Sequence, residues 1–141
     1  MKFLGNFFFY TYVGLVVVAG AWGAFGNANL DFRMLFRLDA DMLGDYSRIN
    51  LLSQYRFLRA IELGFGIFSI VFKKDIFSDP RFNRLFLFIM GAGVASRMVS
   101  VWAEGNPSPL MWFFMIYEFA GLLLISLYTK INIYDRRQYI S

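Results

Sequence analysis

The sequence contains no cysteine and no histidine. Without thiols there are no disulfides, no thiolate nucleophiles and no cysteine metal sites. Without imidazole the commonest general base and the commonest haem ligand are missing. The seven methionines read as packing material. Charge is scarce as well. Only 17% of the 141 residues are charged, whereas an average globular domain has about 25%. The formal charge of +4 does not point to nucleic acid, because the basic residues flank apolar runs and form no continuous basic face. No metal ligand set, no cofactor motif and no nucleophile arrangement is visible, so the chain reads as a non-enzyme.

What is present is apolar. Hydrophobic residues make up 58% of the chain and aromatics 21%. A chain this short cannot hide so much apolar surface in one water-soluble core. A helix needs about 20 apolar residues to cross the hydrocarbon, and four segments meet that need. They run over about 3–25, 51–72, 85–103 and 110–128. The pattern predicts one all-α domain over residues 1–141, an integral membrane four-helix bundle. Asp79-Pro80 and Ser108-Pro109 carry the signature of a helix start, a capping side chain followed by proline at the first helical position. The short EGNPSP link (104–109) makes spans three and four an antiparallel hairpin.

Lysine and arginine set the orientation. Lys2, Lys73, Lys74, Arg81, Arg84, Lys130, Arg136 and Arg137 fall on one side. Arg33, Arg37 and Arg48 fall on the other, diluted by Asp31, Asp39, Asp41 and Asp45. Both termini are therefore expected in the cytoplasm, with the chain in the cell (inner) membrane. The first apolar run exceeds the h-region of a cleaved signal peptide and is expected to stay as a span. Residues 29–50 then form a short external interfacial segment. Met34, Leu35, Leu38 and Met42 fall at helical spacing there, as in an amphipathic helix lying on the interface. DADMLG (39–44) imitates the start of a calcium loop but has Leu43 and Asn50 where ligands are needed.

Span two is unusual. QYRFLRAIELGFG (54–66) carries Arg56, Arg59 and Glu62. With termini inside, Arg59 lies roughly 12 Å below the outer end of its span, Arg97 roughly 9 Å and Glu118 roughly 12 Å. Glu62 is one turn deeper than Arg59. These charges are expected to meet in the outer half of the bundle as one polar cluster with Ser100. Each unpaired charge at the centre of a span costs about 2.5–3.5 kcal/mol on insertion scales, so pairing is expected. Arg59 with Glu118 and Arg97 with Glu62 is one choice, and the crossed choice is the other. With Arg56 the cluster holds three arginines and two glutamates, leaving one positive charge to spare. Gly20, Gly23, Ala24 and Asn27 form a small-residue stripe on span one, the kind that lets membrane helices approach closely.

YRFLRAIELGFG (55–66), GAGVASRMVS (91–100), GNPSP (105–109) and Glu118 together resemble an uncharacterised bacterial membrane-protein family, domain of unknown function 4345. The resemblance covers roughly residues 50–125. It implies a small four-helix protein, and its pattern falls on Arg56, Arg97, Ser100, Gly105, Pro107, Pro109 and Glu118. The pattern often lacks charges like Arg59 and Glu62, and it implies no activity.

Arginine stays protonated and presents a fork of donors suited to carboxylate or phosphate. The leading expectation is a site for an anionic lipid or small molecule, or else an anchor for a larger membrane complex or homo-oligomer. The alternative is a small proton-linked or anion transporter, with Glu118 as proton acceptor. A lipid-acting enzyme using Glu62 and Glu118 ranks third. Against all of these stands a purely structural role, in which the charges fix helix register.

Overall fold

A charge-free run such as FLGNFFFYTYVGLVVVAGAWGAF closes its own backbone hydrogen bonds only as a helix, the economical solution in lipid. The computed structural model describes residues 2–135, and every regular element there is helical. The order is α1 (Lys2–Phe25), α2 (Ala28–Phe36), a 3-10 turn (Ala40–Met42), α3 (Asp45–Val71), α4 (Lys73–Ser78), α5 (Pro80–Glu104) and α6 (Pro109–Thr129). A π-helical turn, Lys130–Asp135, continues α6. Arg136 and Arg137, used above for orientation, lie outside the described residues.

Three stretches are long and apolar enough to cross a membrane: Phe3–Phe25, Pro80–Glu104 and Pro109–Ile133. Large apolar side chains such as Phe3, Val18, Phe88, Trp102, Phe113 and Ile116 lie exposed on them. Exposed apolar surface on this scale marks contact with something other than water. Helix α3 has 27 residues, roughly 40 Å, and so has the length. It carries five charges, Asp45 and Arg48 in its first turn and Arg56, Arg59 and Glu62 further along, and it is not among the three apolar stretches.

The helix starts follow the sequence in part. Asp79 caps α5, its carboxylate accepting from the Arg81 N–H at 2.6 Å, with Pro80 behind it. Ser108 occupies the cap position of α6, yet its hydroxyl makes no bond; its carbonyl accepts from Met111 and Trp112 instead. The expected amphipathic helix exists, but as α2, ending at Phe36. It buries Ala28 and Phe32 and leaves Met34 exposed. Leu38 and Met42 fall beyond it because Arg37 turns into the left-handed region (φ 53°) and ends the helix. Helix α4 lies in a stretch the sequence reads only as a basic loop.

The chain divides into two compact units. The continuous unit is Val13–Phe68. Its organising feature is the crossing of α1 and α3. A Cβ on Gly20 would lie 2.6 Å from the Leu63 backbone nitrogen, and one on Gly23 would lie 2.5 Å from Arg59 Cγ. On the facing helix, a Cβ on Gly66 would meet Val17 Cγ2 at 2.5 Å. The small-residue stripe of α1 is thus used as small residues in membranes are used, to bring backbones together. Against this pair, Ala28 and Phe32 of α2 pack with Tyr55, with Leu38 and Leu52 beside them.

The split unit joins the start of the chain, up to Tyr12, with the residues from Ser69 onward. Its centre is aromatic. Phe9 is fully buried, with ring centroids 5.1 Å from Phe77 and 5.5 Å from Phe86. Asn83 is buried and donates to the Ile76 carbonyl at 3.1 Å, which ties α4 to α5. Lys73 donates to the Tyr10 hydroxyl at 2.7 Å with its ammonium 4.0 Å from that ring's centroid, tying α4 to α1. Tyr117 donates to the Thr11 hydroxyl, which donates in turn to the Phe7 carbonyl at 2.8 Å.

Two expectations follow. Gly20→Ala must push α3 away, which costs about 1–3 kcal/mol as overpacking does; Gly14→Ala, where no atom lies within 4 Å, should cost nothing. Thermal melts of both variants in detergent compare them directly. Between α2 and α3, the Asp41 N–H and then Arg33 hold Asp39 below its ordinary value of 3.8. Its contribution is therefore complete above pH 3.8 and is lost as the pH falls through the lower folded value. Protection of the Asp41 amide, its exchange taken relative to the intrinsic rate at each pH, should fall over that acid range, and Asp39→Asn should lower it already at neutral pH.

Candidate functional sites on two polar clusters

The charges of α3 belong to the continuous unit. Arg59 is held on two sides. Its Nη1 donates to Glu62 Oε2 at 2.6 Å, one turn along the same helix, and its Nε donates to the Tyr55 hydroxyl at 2.9 Å. Its guanidinium also lies 5.0 Å from the Tyr55 ring centroid, close enough for cation–π attraction. Tyr55 passes the connection on, its hydroxyl donating to Asp31 Oδ2 at 2.7 Å. Asp31 takes a second bond from Trp22 Nε1 at 3.1 Å. One chain of hydrogen bonds thus runs from Glu62 through Arg59, Tyr55 and Asp31 to Trp22, binding α3, α2 and α1. The Tyr55 ring is flanked edgewise by Phe32 at 5.0 Å and Phe36 at 6.1 Å.

Arg56 is treated differently. Its Nη1 donates to the Ala24 carbonyl at 2.7 Å. Ala24 is in the last turn of α1, where carbonyls have no partner within the helix and the helix dipole is negative. Arg56 therefore caps α1 from α3. It makes no ion pair among the described residues and its side chain is exposed.

The second cluster lies in the split unit, on the α5–α6 hairpin. Arg97 and Glu118 form a two-point fork, with Nε to Oε2 at 2.8 Å and Nη2 to Oε1 at 3.1 Å. Such paired charge-assisted bonds are the strong ones. Arg97 Nη1 has only the Met111 sulfur, at 3.9 Å. Ser100 lies one turn further along α5, exposed, and makes no hydrogen bond with the described residues.

Of the two pairings the sequence leaves open, the structure takes Arg59 with Glu62 and Arg97 with Glu118, one pair in each unit. The spare positive charge is Arg56. Sequence reasoning missed Tyr55, Asp31 and Trp22. A signal for Tyr55 was available, since it stands four residues before Arg59 on the same helical face. Around the turn between α2 and α3, Asp41 pairs with Arg33 at 3.3 Å and Arg48 at 2.9 Å. Asp39 pairs with Arg33 at 3.1 Å, so both aspartates of the calcium-like motif have cationic partners in the chain.

The family model of the domain of unknown function DUF4345 matches residues 6–129. The chain belongs to this family. The match takes in α1 and α2 as well as both polar clusters. No curated protein and no solved structure matches the chain.

The fork is expected to be cooperative. Arg97→Met and Glu118→Met should each destabilise, because each strands the other charge. The double variant should recover about 1–3 kcal/mol relative to the sum of the two. A double-mutant cycle of detergent unfolding measures the coupling.

Proposed function

We propose that the chain is a non-enzymatic multi-pass membrane protein that holds an anionic amphiphile, or a small anion of the same charge, at Arg56. In this reading α3 is a fourth span. The chain lies in the cell (inner) membrane with both termini in the cytoplasm. The energetics of α3 favour its insertion. Arg59 and Glu62 neutralise each other at 2.6 Å, and Arg56 is bonded to a carbonyl, so three charges act as one. The insertion penalty then falls well below three separate terms of about 2.5–3.5 kcal/mol.

The observation that carries the ligand reading is the contrast among the three arginines. Arg59 and Arg97 are each matched by a glutamate, whereas Arg56 meets only the Ala24 carbonyl and lies exposed. The end of α1 offsets roughly half an elementary charge. A net positive field and several free N–H groups are left facing outward. A phosphate or carboxylate meets both needs, and a headgroup arriving from the outer leaflet brings them at the right depth.

Native mass spectrometry tests this. The purified protein should retain phosphatidylglycerol in preference to phosphatidylcholine. Arg56→Gln should weaken that retention about tenfold, the scale of one charged hydrogen bond, and Arg56→Lys should keep most of it. Equal retention by the native protein and Arg56→Gln would exclude Arg56 as the site.

A further inference from the structure

The Arg97–Glu118 fork neutralises its own charge but not all of its hydrogen-bonding capacity. A guanidinium has five N–H groups. The fork uses Nε and one bond from Nη2, while Nη1 faces a thioether sulfur at 3.9 Å, a weak acceptor. Arg97 lies seven residues, roughly 10 Å, inside the Glu104 end of an apolar helix long enough to cross a membrane. Water is scarce at that depth, and an unsatisfied donor there is costly.

Ser100 supports the same point independently. Several hydroxyls in these helices close on their own backbone. Ser96 donates to the Gly93 carbonyl at 2.8 Å, Thr11 to the Phe7 carbonyl at 2.8 Å and Thr129 to the Ile125 carbonyl at 2.9 Å. Ser100 does not, and it is exposed. It stands three residues after Arg97 and so on the same face of α5. Two donors of different kinds, Arg97 Nη1 and Ser100 Oγ, thus share one face of the helix, and neither has an oxygen acceptor among the described residues.

We infer that this face of the α5–α6 hairpin is a recognition site for the neutral carbonyl oxygen of a membrane-dissolved amphiphile, with Arg97 Nη1 and Ser100 Oγ as its donors. The charge balance selects the class. Glu118 cancels Arg97, so a second anion would meet no net attraction and would be repelled by the glutamate. A carbonyl brings lone pairs without charge. It enters lipid at little cost and replaces the sulfur of Met111 as the partner of Nη1. Two membrane sources offer such a group, the acyl ester of a glycerolipid and the ring carbonyl of a prenylated quinone. The site is separate in residues and in ligand charge from the one at Arg56.

The experiment uses the full chain in nanodiscs. Binding of a short-chain benzoquinone is followed by tryptophan quenching, with Trp112 next to Met111. Retention of diester phosphatidylcholine is compared with that of its diether analogue, which lacks the carbonyls. The site predicts saturable quinone binding, or preference for the diester over the diether lipid; which of the two appears identifies the source. Ser100→Ala should weaken that binding about three- to tenfold, the scale of one neutral hydrogen bond. Met111→Gln, which supplies an internal amide oxygen, should weaken it at least as much, and Met111→Leu should leave it intact. All three variants keep the fork, and an unchanged thermal midpoint would show that folding is preserved. Absence of both quinone binding and ester preference overturns the inference. So does binding that Ser100→Ala and Met111→Gln leave unchanged.

Discussion

An arginine on a long, largely apolar helix needs partners for its charge, and α3 carries two arginines within one turn. Much of the continuous unit answers that requirement. Arg59 is met by Glu62 and Tyr55, Tyr55 by Asp31, and Asp31 by Trp22. The network reaches three helices, and it depends on α1 lying close against α3, with Gly20 facing the Leu63 backbone and Gly23 the Arg59 side chain. Gly20 and Gly23 provide that approach. Without it Arg56 would not reach the Ala24 carbonyl at 2.7 Å, and the end of α1 would lose its cap. A charge that looks out of place on a largely apolar helix thus supplies the bond that finishes the neighbouring helix.

The split unit solves a similar problem with fewer parts. Its single arginine–glutamate fork stands on adjacent helices joined by four residues, 105–108, where α5 ends and α6 begins. The apolar remainder is held by aromatic packing about Phe9 and by hydroxyl and amide bonds from Tyr117 and Asn83. Each polar group is modest alone, yet in an apolar medium its alternative is to have no partner. This gives such bonds specificity that dispersion contacts lack.

Much of this was legible in the residues. Four apolar runs were read as spans, and three of them lie on helices long and apolar enough to cross a membrane; Asp79-Pro80 marked the start of α5, and the small-residue stripe of α1 marked a close helix contact. The pairing was not legible, because Arg59, Glu62, Arg97 and Glu118 fall at similar depths and depth alone does not select partners. Local geometry decided it: Glu62 stands three residues after Arg59, within reach on one helix. Helix α4 was hidden because six residues, KKDIFS, carry too little periodicity to separate a helical turn from a basic loop. Tyr55 was overlooked because, in a chain with eighteen phenylalanines, an aromatic draws notice only through its spacing from Arg59. Leu38 and Met42 misled for a different reason. Their spacing was helical, but the left-handed turn at Arg37 broke the helix between them and Met34.

The division of the chain also bears on the order in which it is made. The continuous unit is an unbroken stretch, Val13–Phe68, so all its residues have left the ribosome once Phe68 has. The split unit is assembled from the two ends of the chain. Tyr10 and Lys73 are 63 residues apart, and the Thr11 hydroxyl waits still longer for Tyr117. Contacts of such separation close late because the intervening chain must first be ordered. The turns of α1 that hold Tyr10 and Thr11 are therefore made well ahead of Lys73 and Tyr117, and their polar groups stay without these partners until the later helices arrive.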